Sequence, residues 1–462
     1  YAGANDTPAL TIEGGASATV TNCTIAHHKT PTDAISSKAA LDAQEAIAGT
    51  VIRNNLFFDN RVPLAVNTTF NVEANTFDNS VAAPSAPMPN KYNGVFISGC
   101  AHVAGNITWA VQPVPYVIGT PTSACRYVVV DQAGQLTIGS ATANAVVKFH
   151  SSGRLDVNGT LVGHADFTSI KDDSKGGDTN ADGAATTPAG GDWEGIDLGK
   201  SGSSFDKAGF YYGGGNDKPT LNVGDSLGAT ITHCTFAHNK PPTDTIRAAP
   251  ALDASGADST TVIQNNTFFD NTVPVAMSTA YSIDDSNTFT DGAGAKNKFQ
   301  AIVVQGCGHI KSNLSWAAVK VPIVVGNPVD ACNYLVIDGA GHLTLADQVV
   351  VKFFPSGRID AQGLLTAQAT TGIVFTSFAD DAHGGDTNAD ANATAPAPGD
   401  WEGIKVSVSG STFDRVSFLY GGGATSGDEA PSLVAASGKS VSVKRCVFAH
   451  SRPTRDSLTA AP

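Results

Sequence analysis

Thr50-Val-Ile-Arg-Asn-Asn-Leu-Phe57 is followed by Phe70-Asn-Val-Glu-Ala-Asn-Thr-Phe77, and later by Ser282-Ile-Asp-Asp-Ser-Asn-Thr-Phe289. Each stretch is a short β-branched run, then Asn, then an aromatic residue. Strands of four to six residues separated by Asn, Asp and Gly turns recur about every 20–25 residues, and helical periodicity is scarce. That pattern predicts an all-β chain folded as a right-handed parallel β-helix. One such coil has no way to bury its apolar face alone, so coils must stack and their strands must pair in parallel. Asn suits the corners because it tolerates left-handed backbone and its amide can bond the Asn of the next rung. A β-propeller needs shorter blade repeats, and tandem β-sandwiches need antiparallel alternation; both fit less well.

A second, longer period of about 210 residues overlies the first. Cys23-Thr-Ile-Ala-His27 returns as Cys234-Thr-Phe-Ala-His238 and as Cys446-Val-Phe-Ala-His450. Asn54-Asn-Leu-Phe-Phe-Asp-Asn60 returns as Asn265-Asn-Thr-Phe-Phe-Asp-Asn271. The expected organisation is a first copy over 1–211, a second over 212–419 and the start of a third over 420–462, as in a piece of a longer array. About nine coils per copy are expected.

Composition points outside the cell. Only 15% of residues are charged, glycine reaches 48 and methionine occurs twice. This is a turn-rich β profile. The net charge of −14 repels phosphate backbones, which argues against nucleic acid and suits divalent cations. No run of about 18 apolar residues predicts a transmembrane segment. Of seven cysteines, Cys100 and Cys125 have the same spacing as Cys307 and Cys332 in the next copy. One disulfide per copy accounts for this, linking adjacent rungs; two pairs of buried free thiols are the other reading. Disulfides imply an oxidising, extracellular setting. Cys23, Cys234 and Cys446 read as small buried residues rather than ligands.

Two long loops without strand signal, at about 170–192 and 378–400, carry the strongest chemical motif. Asp178-Thr-Asn-Ala-Asp-Gly183 is matched by Asp386-Thr-Asn-Ala-Asp-Ala391. Alternating oxygen donors on a tight loop suit Ca²⁺. The candidate ligands are Asp178, Asn180 and Asp182, with Asp172 and Asp173 upstream; in the second copy they are Asp386, Asn388 and Asp390, with Asp380 and Asp381. An EF-hand is excluded, because its twelfth-position Glu is replaced by Ala189 and Ala397. A solvated acidic turn is the plainer alternative. Each loop closes on Asp192-Trp193-Glu194 or Asp400-Trp401-Glu402. Trp193 and Trp401 are either sugar-stacking rings or buried anchors for the loop. Asp192/Glu194 and Asp400/Glu402 are the candidate acid/base carboxylates of a carbohydrate-active enzyme.

Val146-Val-Lys-Phe149, Gly153-Arg-Leu-Asp156, Gly176-Gly-Asp-Thr-Asn-Ala-Asp-Gly183 and Gly191-Asp-Trp-Glu-Gly-Ile196, with their second copies, resemble secreted bacterial proteins of the right-handed parallel β-helix repeat class, in the pectate-lyase-like superfamily. The resemblance implies the fold and a surface or extracellular location, not an activity. The Arg or Lys base beside an Asp cluster that the superfamily's lyases use does not map onto this chain. The functional expectation is therefore a non-enzymatic, calcium-stabilised β-helical rod in a surface fibre, filament or adhesin. Its partners would be copies of itself, end to end or laterally, and cell-surface glycans. A polysaccharide lyase or hydrolase, or a glycan-binding module, is the alternative.

Overall fold

The computed structural model describes residues 4–80, 87–121, 124–326, 332–423 and 431–451. Part of the expected third copy, 424–430 and 452–462, lies outside them. The chain divides into two compact units. The first comprises Tyr1–Gly224 with Ala229–Pro242, and the second Asp225–Gly228 with Thr243–Pro462. Each is a parallel β-helix.

In the first unit the longest sheet runs through nine strands, from Leu10–Thr11 and Leu41–Ala43 to Gly209–Tyr211 and Thr235–Ala237. Two further long parallel sheets, with a three-stranded and a two-stranded one near its start, complete its wall. One stacks Ala101–Val103, Tyr127–Val130, Arg154–Val157, Gly195–Leu198 and Leu221–Val223; the other runs from Asn106–Trp109 to Ala229–Thr232. The second unit repeats the plan, with Val275–Met277, Ile302–Val304, Ile323–Val325 and Val350–Phe353 paired in order. Rungs are more uneven than the expected 20–25 residues. Asn55 bonds a residue 20 positions on, Asn60 one 30 positions on, and Leu161 one 42 positions on. The last gap holds the first acidic loop.

Four corners share one device. A residue in the left-handed region precedes a buried Asn: Asn54 (φ 58°) before Asn55, Asp59 (φ 52°) before Asn60, Asn265 (φ 58°) before Asn266, Asp270 (φ 50°) before Asn271. The buried amides then form ladders. Asn55 Nδ2 donates to Asn75 Oδ1 at 3.1 Å, and Asn60 Nδ2 to Asn90 Oδ1 at 2.9 Å. In the second unit Asn266 donates to Asn287 at 3.1 Å and Asn271 to Asn297 at 2.8 Å. Each acceptor oxygen also takes a backbone N–H: Asn55 N bonds Asn75 Oδ1 and Asn266 N bonds Asn287 Oδ1, both at 3.0 Å. Turns that would bury unpaired backbone groups are thus satisfied from within. Beside them the aromatic of each motif stacks on its neighbour, Phe57 on Phe77 at 5.3 Å and Phe268 on Phe289 at 5.5 Å.

The cysteines sort as follows. Cys100–Cys125 and Cys307–Cys332 are disulfides with Cα–Cα separations of 4.9 and 4.8 Å, close to the spacing of adjacent strands. Cys234 is buried, and burial pushes its thiol up to about 12. Cys23 is exposed and Cys446 half-buried, which corrects the expectation that all three are buried. Among the described residues the strand after Cys23 pairs on one side only, with Leu56–Phe58, and the strand after Cys446 pairs only with Thr412–Leu419. Cys23 instead heads an Asn ladder, its N–H donating to Asn55 Oδ1 at 3.0 Å.

Asn60 is fully buried, and it also donates to Ile25 O and accepts from His28 N. Removing its side chain leaves buried backbone groups unpaired, so Asn60→Ala should lower the unfolding free energy by about 2–3 kcal/mol in a denaturant titration. An exposed Asn such as Asn71 should cost far less.

Candidate metal centre

The paired strands Ala145–Phe149 and Ala165–Ser169 form the floor of the first acidic loop. Lys148 points outward from this floor, where alternation alone leaves a lysine in water. Here the loop covers it completely, and Nζ donates to Gly177 O at 2.6 Å. Burial pulls its pKa down to about 8, opposed by the nearby charges of Asp172, Asp173 and Asp178. The loop is pinned at both ends. At its start Asp172 accepts Thr168 Oγ1 at 2.6 Å and Ser174 N at 3.1 Å. At its end Asp192 accepts Ser169 Oγ at 2.7 Å, Ala189 N at 3.0 Å and Lys171 Nζ at 2.8 Å. Trp193 is fully buried, stacked on Phe149 at 4.4 Å with Nε1 donating to Tyr211 O. Ala181, in the left-handed region at φ 58°, packs against an apolar cluster containing Val62, Ala65, Phe96 and Ile170.

These anchors hold the motif with its oxygens together. Asp173, Asp178 and Asp182 each place a carboxylate oxygen within 4.8 Å of the others. Oxygens on opposite sides of a Ca²⁺ ion at 2.3–2.6 Å are about 5 Å apart, so one hard cation fits the set. Asp178 also caps the turn, accepting Asp182 N at 3.2 Å and Gly183 N at 2.9 Å. Asp173 Oδ1, Asn180 Oδ1 and Asp182 Oδ1 are buried atoms with no hydrogen-bond partner. Burial, and then the neighbouring Asp178 charge, raise the Asp173 carboxyl above its usual range.

The second unit builds the same object. Asp381, Asp386 and Asp390 converge within 4.8 Å, and Asp381 Oδ1 and Asn388 Oδ1 are buried without partners. Buried Lys352 is better satisfied than Lys148, donating to Asp380 O and Gly385 O at 2.8 Å and Thr387 Oγ1 at 2.7 Å. Asp390 Oδ1 differs from its counterpart because it accepts Ala393 N at 3.0 Å.

One expectation needs correction, and three of the alternatives left open do not fit the geometry. Asp172 and Asp380 are not convergent ligands: they are 2% and 1% exposed, turned into the floor to cap loop residues. Trp193 and Trp401 are 0% exposed and offer no ring face to a sugar. Asp192 and Asp400 are bound to Ser169 and Ser377 as loop clamps. Glu194 and Glu402 face Arg154 and Arg358 instead, each at 3.5 Å, so neither Asp-Trp-Glu run forms a carboxylate pair aimed at one substrate bond. The two buried lysines were missed, since Val-Val-Lys-Phe reads locally as a strand with one solvated face. No family model, curated protein or solved structure matches the chain.

Lys148 gives a pH signature. Below about pH 8 it is charged both folded and unfolded, and its burial opposes folding. Between about 8 and the ordinary 10.5 the folded chain gives up the proton first, so its contribution to stability rises with pH across that window. In chelator, the unfolding free energy of wild type relative to Lys148→Met should therefore rise from pH 8 to pH 10. A difference independent of pH contradicts the buried amine.

Proposed function

We propose that the chain is a non-enzymatic structural or adhesive protein of the cell exterior, its β-helical units stiffened by bound Ca²⁺. The carrying observation is that two acidic loops, one per unit, each converge three carboxylates while leaving buried oxygens unpartnered. Leaving such atoms unpaired is costly, and a cation coordinated by oxygen offsets that cost. Asp172, Asp173, Asp178 and Asp182 outnumber the one buried ammonium, and a divalent ion offsets most of that excess negative charge. Asp173, Asn180, Asp178 and Asp182 would hold the ion in the first unit, and Asp381, Asn388, Asp386 and Asp390 in the second. Bound there, it would tie the loop's first turn to its middle.

Extracellular placement is supported by two inter-rung disulfides and by the net charge of −14. No helix among the described residues is long and apolar enough to cross a membrane. The resemblance to secreted bacterial β-helix repeat proteins supports the same placement. A structural role is favoured over hydrolysis because, of the candidate pairs Asp192/Glu194 and Asp400/Glu402, the aspartates hold the loops and the glutamates face Arg154 and Arg358. Partners in this reading are further copies of the chain and cell-surface glycans.

Ligand binding to the folded state alone raises stability by about 2.7 kcal/mol at a hundredfold excess over Kd. Millimolar Ca²⁺ should accordingly raise Tm by several degrees over chelator, and Mg²⁺ by much less. Asp173→Asn and Asp381→Asn should each remove part of the rise, and together all of it, without lowering Tm in chelator. Equal Tm with Ca²⁺ and chelator would overturn the calcium reading.

A further inference from the structure

The two copies differ on the outer wall. In the first unit Phe96 points outward between inward-facing Val95 and Ile97. Loops cover its ring, which is 4% exposed in the cluster with Ile35, Val62 and Ala65. By alignment of the copies, Ile246, Val273, Ala276 and Val303 are the second unit's equivalents. Val303 stands where Phe96 does, and it is only half-buried. The missing ring leaves a pocket of about 270 Å³, walled by Ile246, Val273, Ala276, Val303 and Phe354, with Arg247 at its edge.

Arg247 is the second difference, replacing Ser36 of the first copy. It is exposed, and its guanidinium has no ion-pair partner among the described residues. Its neighbours are engaged elsewhere: Asp244 pairs with Lys298 at 2.5 Å. The second copy has therefore lost the ring at the Phe96 position and gained an unpaired cation at the rim, while Phe354, which replaces His150, forms one wall of the space.

We propose that this pocket binds a small aromatic carboxylate, its ring taking the place of the Phe96 ring and its carboxylate facing Arg247. The volume suits a ligand of that size, just below the range of drug-sized sites. Planar carboxylate recognition is what a free guanidinium does well. The pocket uses none of the cation-loop carboxylates, although Ala389 of the second loop packs against its wall, and it does not depend on the structural reading above.

The test uses the full chain with phenylacetate and its neutral analogue phenylacetamide, measured by calorimetry and saturation-transfer NMR. Wild type should bind phenylacetate saturably and phenylacetamide about five- to tenfold more weakly. Val303→Phe, which restores the first copy's ring, should abolish binding of both. Arg247→Ser, which restores the first copy's rim, should weaken phenylacetate to the level of phenylacetamide and leave phenylacetamide unchanged. Thermal melts of both variants establish that they fold. No saturable binding by wild type, or wild-type affinity in folded Val303→Phe, overturns the pocket. Equal phenylacetate affinity in Arg247→Ser overturns the carboxylate assignment.

Discussion

A coil of a parallel β-helix must turn its corner without stranding a buried peptide group, and at the rungs that begin with Asn55, Asn60, Asn266 and Asn271 the Asn amide meets that constraint. One oxygen accepts from the backbone and the side chain of a neighbouring rung. The matching amide donates to a strand carbonyl, as Asn75 does to Ile52 O at 3.1 Å. The left-handed residues before Asn55, Asn60, Asn75, Asn266 and Asn271 bring those amides inside the turn. Because adjacent corners are then in register, the strands are in register too, and inward Val, Ile and Phe stack without further instruction. A misplaced corner would shift every strand after it.

With the wall fixed, loops are free to vary, and the acidic loop shows what a rigid floor permits. Thr168 and Thr376 on the floor strands cap Asp172 and Asp380. Trp193 and Trp401 plug the return, each stacked on the Phe that follows the buried lysine. Between those pins the carboxylates stay close despite mutual repulsion. The ammonium beneath offsets part of that repulsion, and the remainder is what a divalent ion would relieve. The same economy explains the outer pocket: a wall held from inside tolerates loss of an outward ring at Val303.

Much of this was legible before any coordinates. Asn-x-Phe recurrence gave the coil, the corner and the aromatic stack, because each depends on residues close in sequence. The disulfide pairing followed from equal spacing in two copies. Asp178, Asn180 and Asp182 were recognisable because a tight loop makes their geometry local. What stayed hidden depends on contacts between distant segments. Asp172 and Asp173 are adjacent, yet one caps the floor and the other joins the cluster, a choice made by Thr168. Lys148 looks solvated until a loop more than twenty residues downstream covers it. The coil length was underestimated because insertions lengthen the rungs at 60–90 and 161–203 without disturbing the wall.

The most direct test of the account is an experimental structure of the chain in Ca²⁺, with the ion identified by its anomalous scattering. The account expects one ion per loop. In the first unit it should lie about 2.4 Å from oxygens of Asp173, Asn180, Asp178 and Asp182, and in the second from the matching set. Water alone at both centres in saturating Ca²⁺, with Asp173 Oδ1 and Asp381 Oδ1 hydrogen-bonded to it, would contradict the account.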